Sequence, residues 1–124
     1  VKKVTFENIL SLADIISIHV PLNNETKYLF DKKTFQKMNN KPIIINSSRG
    51  GIINETDILE AYKNNYISGF ALDVYEHEPV NKIFLKNITN DMNCILSPHI
   101  AGVTEESNTR VSEFIMNKTN EFFF

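Results

Sequence analysis

Ile43-Ile44-Ile45-Asn46-Ser47-Ser48-Arg49-Gly50-Gly51 joins three β-branched residues, with no alternation, to a small polar turn ending in two glycines. Such a run is the pattern of a strand covered on both faces by helices, which puts it at the centre of a parallel sheet. Downstream, Asn54 can cap a helix with Asp57 three residues on, a weaker relative of the capping box, and Ile58, Leu59, Tyr62 and Tyr66 continue its apolar stripe. Gly69 follows that helix. Phe70-Ala71-Leu72 reads as the next strand, and Cys94-Ile95-Leu96 as another after a loop-rich interval holding Pro79 and Asn81. Upstream, Phe6, Ile9, Leu10 and Leu12 outline a short helical face, and Ile15-Ile16-Ser17-Ile18-His19-Val20 a strand that Pro21 closes. Asp31 can cap a helix carrying Phe35 and Met38, which Asn39-Asn40-Lys41-Pro42 would stop. Thr104 can cap a last helix, with Glu105 and Glu106 at its positive end and Val111, Phe114, Ile115 and Phe122 as a loose apolar face. Strands alternating with helices predict an α/β fold with a parallel sheet and right-handed crossovers.

At 124 residues and 42% hydrophobic content the chain suffices for one compact domain, residues 1–124, and is too short for two ordinary ones. A net charge of −2 and a pI near 5.9 provide no basic field, so no nucleic acid is expected as a partner. Cys94 is the only cysteine; no internal disulfide can form, and its apolar run reads as a buried free thiol in a reducing compartment. No apolar stretch approaches the roughly 18 residues of a membrane span. The first residues also lack a signal-peptide core. A cytoplasmic chain with no membrane partner and no metal site is expected. The start at Val1 and the close in Phe122-Phe123-Phe124 carry the expectation that this is part of something longer.

In a parallel α/β sheet the carboxyl ends of the strands line one crevice, where residues distant in sequence meet. Three runs end there: Asn46-Ser47-Ser48-Arg49-Gly50-Gly51, Leu72-Asp73-Val74-Tyr75-Glu76-His77-Glu78-Pro79 and Ser97-Pro98-His99-Ile100-Ala101-Gly102. Arg49, between small neighbours, presents a fixed fork of donors matched to a carboxylate, although a surface ion pair would explain it equally well on its own. His99 brings an imidazole, the side chain suited to exchanging a proton with a hydroxyl or carbonyl; a lone His is more often structural. Glu78 could bond that ring and fix its tautomer, or be a solvated loop carboxylate. Asp73 could equally bond its own loop, and Glu76 and His77 read as solvent-facing.

The set resembles the signature of the D-isomer-specific 2-hydroxyacid dehydrogenases. These enzymes move a hydride between a nicotinamide cofactor and a small 2-hydroxy or 2-oxo acid. The likeness runs from about Phe6 to Asn117 and includes Leu12-Ala13-Asp14, His19-Val20-Pro21 and Glu25-Thr26. It implies that Arg49 binds the substrate carboxylate, that His99 is the acid–base group and that Glu78 pairs with it. It also implies nicotinamide and ribose contacts at Ser47, Ser48, Arg49, Asp73 and His99, with backbone around His19, Val20, Pro21, Ala101 and Gly102 lining NAD. Formate dehydrogenases of this fold carry Gln where Glu78 stands, which argues against formate. Arg49-Gly50-Gly51-Ile52-Ile53-Asn54-Glu55 is most similar to the phosphoglycerate dehydrogenase branch.

A dinucleotide fold cradles pyrophosphate with G-x-G-x-x-G after its first strand. Gly50, Gly51, Gly69 and Gly102 are the only glycines, and their spacing does not match. The expected architecture is therefore a partial Rossmann-like parallel sheet flanked by helices, lacking the first β-α-β half. In the order 3-2-1-4-5-6 the strand at Ile15 would be left as an open edge. Self-association, or a complementing chain at that edge, is expected. The resemblance implies a reversible reduction of a 2-oxo acid, with little activity from this chain alone. Two other readings stay open: a non-enzymatic, NAD-sensing interaction module like the corepressors of this fold, and an inactive gene remnant.

Overall fold

Four strands pair in chain order and all in parallel: β1 (Ile15–Ile18), β2 (Ile43–Asn46), β3 (Gly69–Leu72) and β4 (Cys94–Leu96). This computed structural model describes residues 1–123; Phe124 and the side chain of Phe123 lie outside the described residues. Helices α1 (Phe6–Leu12), α2 (Lys32–Phe35), α3 (Glu55–Lys63), α4 (Lys82–Lys86) and α5 (Glu105–Phe123) complete the chain. Each of the first four is entered through a polar cap. Thr5, Asp31, Asn54 and Asn81 accept from the N–H of Asn8, Thr34, Asp57 and Ile83 respectively.

Because the strand order advances one way without reversal, right-handed crossovers deliver α2, α3 and α4 to the same face of the sheet. That face carries Ile16, Ile18, Ile44, Phe70 and Leu72. It closes on Leu10 of α1, Phe35 of α2, Ile58, Leu59 and Ala61 of α3, and Phe84 of α4. The other face is open: Ile15 is 61% and Ile95 72% exposed, with Ile45 and Ala71 half-buried. The expectation that Ile43-Ile44-Ile45 is covered on both sides is thus corrected. The strand is internal in the sheet, but its neighbours put helices on one side only.

Other boundaries shift for local reasons. β1 stops at Ile18, not Val20, because its partner Asn46 ends β2 and turns into the next loop. α2 ends at Phe35, and Met38 reaches the core through tighter i→i−3 turns from Lys37 and Met38 to Thr34 and Phe35. α3 ends at Lys63 because Asn65 takes the left-handed conformation, φ 61°, leaving Tyr66 beyond the helix but still against the core. The loop-rich interval contains α4, and Cys94 is partly rather than fully buried. Thr104 does cap α5, accepting from Ser107 N–H, but Val111, Phe114, Ile115 and Phe122 stay exposed. β1 is an edge strand, as the expected strand order requires.

Ile44 has no exposed surface, so Ile44→Ala should lower unfolding free energy by about 2–5 kcal/mol in urea titrations. Ile95→Ala, on the bare face, should cost no more than about 0.5 kcal/mol. Equal losses would mean that the open face is covered in solution.

Candidate active site

The turn after β2 is shaped by Asn46, a buried polar residue that ends an otherwise apolar strand. Its Oδ1 accepts from Ser48 N (3.1 Å) and Ser48 Oγ (2.8 Å), and its Nδ2 donates to Arg49 O (3.0 Å). The side chain thereby satisfies a turn that leaves the sheet ladder. At Gly50 a Cβ would fall 1.7 Å from Tyr75 O, so only glycine lets this turn press against the loop after β3. The Arg49 guanidinium is exposed and touches Ser48 O at 2.6 Å; among the described residues it has no ion-pair partner. The surface-ion-pair alternative is therefore not realised, and most of its donor fork remains uncommitted.

Asp73, 6% exposed at the end of β3, reaches across to the turn after β4. Its Oδ1 accepts from Ser97 Oγ (2.6 Å) and Ile100 N (2.9 Å), and its Oδ2 from Ala101 N (2.9 Å). Burial alone would raise this carboxyl, but the Ser97 hydroxyl, the two N–H donors and the nearby His99 charge together hold it below its ordinary value. The turn it grips contains His99 at φ 57°, a left-handed conformation rare for a residue with a Cβ. Such strain persists only where the surroundings impose it, and here the N–H groups of the two following residues are both tied to Asp73.

His99 Nδ1 lies 2.7 Å from Glu78 Oε2, and Glu78 Oε1 accepts Tyr75 N–H at 3.2 Å. The hydrogen bond to His99, with that from Tyr75, keeps the Glu78 carboxyl below its ordinary value against a smaller effect of burial. An ionised carboxylate only accepts, so Nδ1 carries the hydrogen and Nε2 is the ring nitrogen left open. Tyr75 links the two loops a second time: its hydroxyl proton is shared between Ser97 O (2.9 Å) and Leu72 O (3.2 Å).

The remaining expected residues fall into two groups. Ser47, Asp73 and Ala101 border one cavity of about 170 Å³ over the bare face of the sheet, floored by Ile45, Ala71 and Ile95. His19, Val20 and Pro21 follow β1 at its exposed end, where His19 Nε2 meets Ser17 Oγ at 2.7 Å; they do not border that cavity, nor does Gly102. Ser48 spends its hydroxyl on Asn46. His77 is exposed, as expected, whereas Glu76 is half-buried and its carboxylate is engaged: Glu55 N–H and the Tyr28 hydroxyl both donate to it. Tyr75 and Glu76 were missed because their partners lie 22 and 21 residues away, beyond any local pattern. Asn46 left a signal, as the one polar residue continuing an isoleucine run.

Asp73→Ala should cost about 2–3 kcal/mol, since it strips the acceptor from donors that are partly buried. A lowered folded-state value means that this stabilisation is complete above the ordinary 3.8 and is lost as pH falls through the lower folded value. Denaturation midpoints should therefore converge for wild type and variant below about pH 4, and a constant difference down to pH 2 would contradict the assignment.

Residues 1–101 match the family model described as "D-isomer specific 2-hydroxyacid dehydrogenase, NAD binding domain". The chain is similar to D-3-phosphoglycerate dehydrogenase of Bacillus subtilis (strain 168), 39% identical over 120 residues, 95% of this chain and 22% of that protein. With glyoxylate reductase of Thermococcus litoralis the identity is 35% over 112 residues, covering 90% of this chain and 33% of the relative. Among solved structures, D-lactate dehydrogenase with NAD+ from Lactobacillus jensenii superposes with a TM-score of 0.82 at 31% identity, over 92% of this chain and 38% of that one. The chain thus spans roughly a fifth to a third of the length of the curated relatives it matches. A parallel sheet whose strand-end turns carry Arg49 and a glutamate–histidine pair, together with a family match over residues 1–101, makes this chain a member of the D-isomer specific 2-hydroxyacid dehydrogenases through their NAD binding domain.

Proposed function

We propose that the chain carries the acid–base and substrate-binding residues of an NAD-dependent oxidoreductase acting on the CH–OH group of a small D-2-hydroxy acid, and that it is the C-terminal portion of the dinucleotide-binding domain. The observation that carries this is the 2.7 Å Glu78–His99 contact, which leaves Nε2 open. In 2-oxo acid reduction, protonated Nε2 gives its proton to the carbonyl oxygen; in the reverse direction it takes the hydroxyl proton. Glu78 holds the ring through Nδ1–H and offsets the positive charge it acquires. Arg49 grips the substrate carboxylate with its fork and polarises the C2 oxygen.

The cavity over the sheet suits the nicotinamide end of NAD. Its floor of Ile45 and Ala71 is flat and apolar, and Ser47, Asp73 and Ser97 offer polar atoms at the rim for an amide. NAD held there would supply the hydride acceptor or donor for substrate C2. Ser48, Arg49, His99 and the backbone around His19, Val20, Pro21, Ala101 and Gly102 form the rest of the proposed contact. The glycines at 50, 51, 69 and 102 make no pyrophosphate cradle, so little turnover is expected from this chain by itself. The relatives' names point to small acids oxidised or reduced beside a carboxylate, which is the substrate class proposed here. A cytoplasmic location belongs to the same reading. Among the described residues no helix is long and apolar enough to cross a membrane.

The edge of β1 and the bare sheet face are proposed to be completed by another polypeptide, either a second copy or a complementing chain. Sedimentation of the isolated chain should show association; a monodisperse, stable monomer would rule out the second copy and count against an edge that needs completing. For the chemistry, a chimera joining this chain to the G-x-G-x-x-G half of a relative should reduce a 2-oxo acid with NADH. His99→Asn should then lower kcat by about 10²-fold or more, and Arg49→Gln should chiefly raise KM. Full kcat in His99→Asn would sink the assignment.

A further inference from the structure

Glu76 has no part in the reading above, yet it is tied more firmly than Glu78. Its Oε1 accepts Glu55 N–H (2.8 Å), its Oε2 accepts the Tyr28 hydroxyl (3.0 Å), and its own N–H donates to Glu55 Oε1 (2.7 Å). Glu55 is the first residue of α3, where backbone N–H groups lack partners within the helix. The two glutamates therefore exchange side-chain-to-backbone bonds as a capping box does, but between elements 21 residues apart. The bond to Glu76 favours the protonated phenol of Tyr28, so the hydroxyl remains a donor.

The segment locked in this way leads directly to the acid–base pair. Tyr75, next in sequence, lies against Gly50 and donates its N–H to Glu78 Oε1. The Glu78 and His99 side chains are 39% and 47% exposed, so neither is held in place by packing. Water competes for both partners of an exposed pair, and the contact persists only if the backbone on each side is fixed. Asp73 fixes the His99 side. On the Glu78 side the corresponding anchor is the reciprocal bond of Glu76 and Glu55.

We propose that Glu76 is a positioning residue: by locking the loop after β3 to the N-terminus of α3, it keeps Glu78 on His99 Nδ1 and keeps that loop seated against the Arg49 turn. This rests on the reading of Glu78 and His99 as the acid–base pair. Glu78 faces His99, Tyr75 and Asp73, while Glu76 faces Glu55 and Tyr28, and the charged neighbours of Glu55 are Glu76 and His77. Removing a carboxylate near Glu78 would by charge alone lower its titration midpoint, whereas losing its position would raise it. The two effects have opposite signs.

The test is a carbon-detected NMR titration of the side-chain carboxyls in the full 124-residue chain. In the wild type Glu78 should titrate below the ordinary glutamate range. Glu76→Gln keeps an oxygen for Glu55 N–H and should leave the Glu78 midpoint low. Glu76→Ala should move it up into the ordinary range. If Glu76→Ala does not fold, Glu55→Ala removes the acceptor for Glu76 N–H and should shift Glu78 in the same upward direction. A Glu78 midpoint unchanged or lowered in a folded alanine variant overturns the proposal and leaves Glu76 a helix cap. The acid–base reading fails on different evidence, full kcat in the His99→Asn chimera, a result independent of how Glu78 titrates in the 124-residue chain with His99 in place.

Discussion

The carboxylate of Asp73 takes three hydrogen bonds from the turn that follows β4, and the rest of the site depends on that grip. It holds the N–H groups of the two residues that follow His99, which sits at φ 57° with its imidazole directed at Glu78. Charge-assisted bonds from backbone N–H groups are short and strong because the acceptor is ionised and largely out of water. The same bonds keep the group ionised, so the anchor sustains its own charge against burial. Tyr75 adds a neutral tie between the same two loops, from its hydroxyl to Ser97 O.

Around that anchor the site is assembled by loops pressed together. Gly50 permits backbone contact with Tyr75, Tyr75 N–H reaches Glu78, and Glu78 reaches His99. The helices act at a distance, by placing the strand ends: α3 is packed through Ile58, Leu59 and Ala61, and its N-terminus faces the loop after β3. The side chains of Arg49, Glu78 and His99 remain exposed while the groups that orient them are buried or bonded. That division suits chemistry on a small molecule arriving from solvent.

The one-sided burial of the sheet follows from topology. A strand order that never reverses sends every right-handed crossover to one face, and no helix of the described residues returns to cover the other. Ile15, Ile45 and Ile95 are accordingly left exposed or half-buried, and the cavity beside Asp73 opens onto this uncovered side. α5, with its apolar positions also exposed, adds a second surface that the chain does not bury against itself.

The amino-acid sequence alone specified the order of elements apart from α4, because local signals mark them: unalternating isoleucines for β2, capping side chains at Asp31, Asn54 and Thr104, and stops at Pro21 and Pro42. It also offered Arg49, Glu78 and His99 as candidates, by their residue types at strand ends and by the resemblance to the family. Only the tertiary structure could decide which residues hold these three. The bonds that tie Asp73, Tyr75 and Glu76 to other loops join residues 21 to 48 positions apart, and a contact at that separation depends on how strands pair rather than on any local preference. The open face was likewise beyond reach, because the number of helices on each side of a strand is set by the order of its neighbours and not by its own three isoleucines.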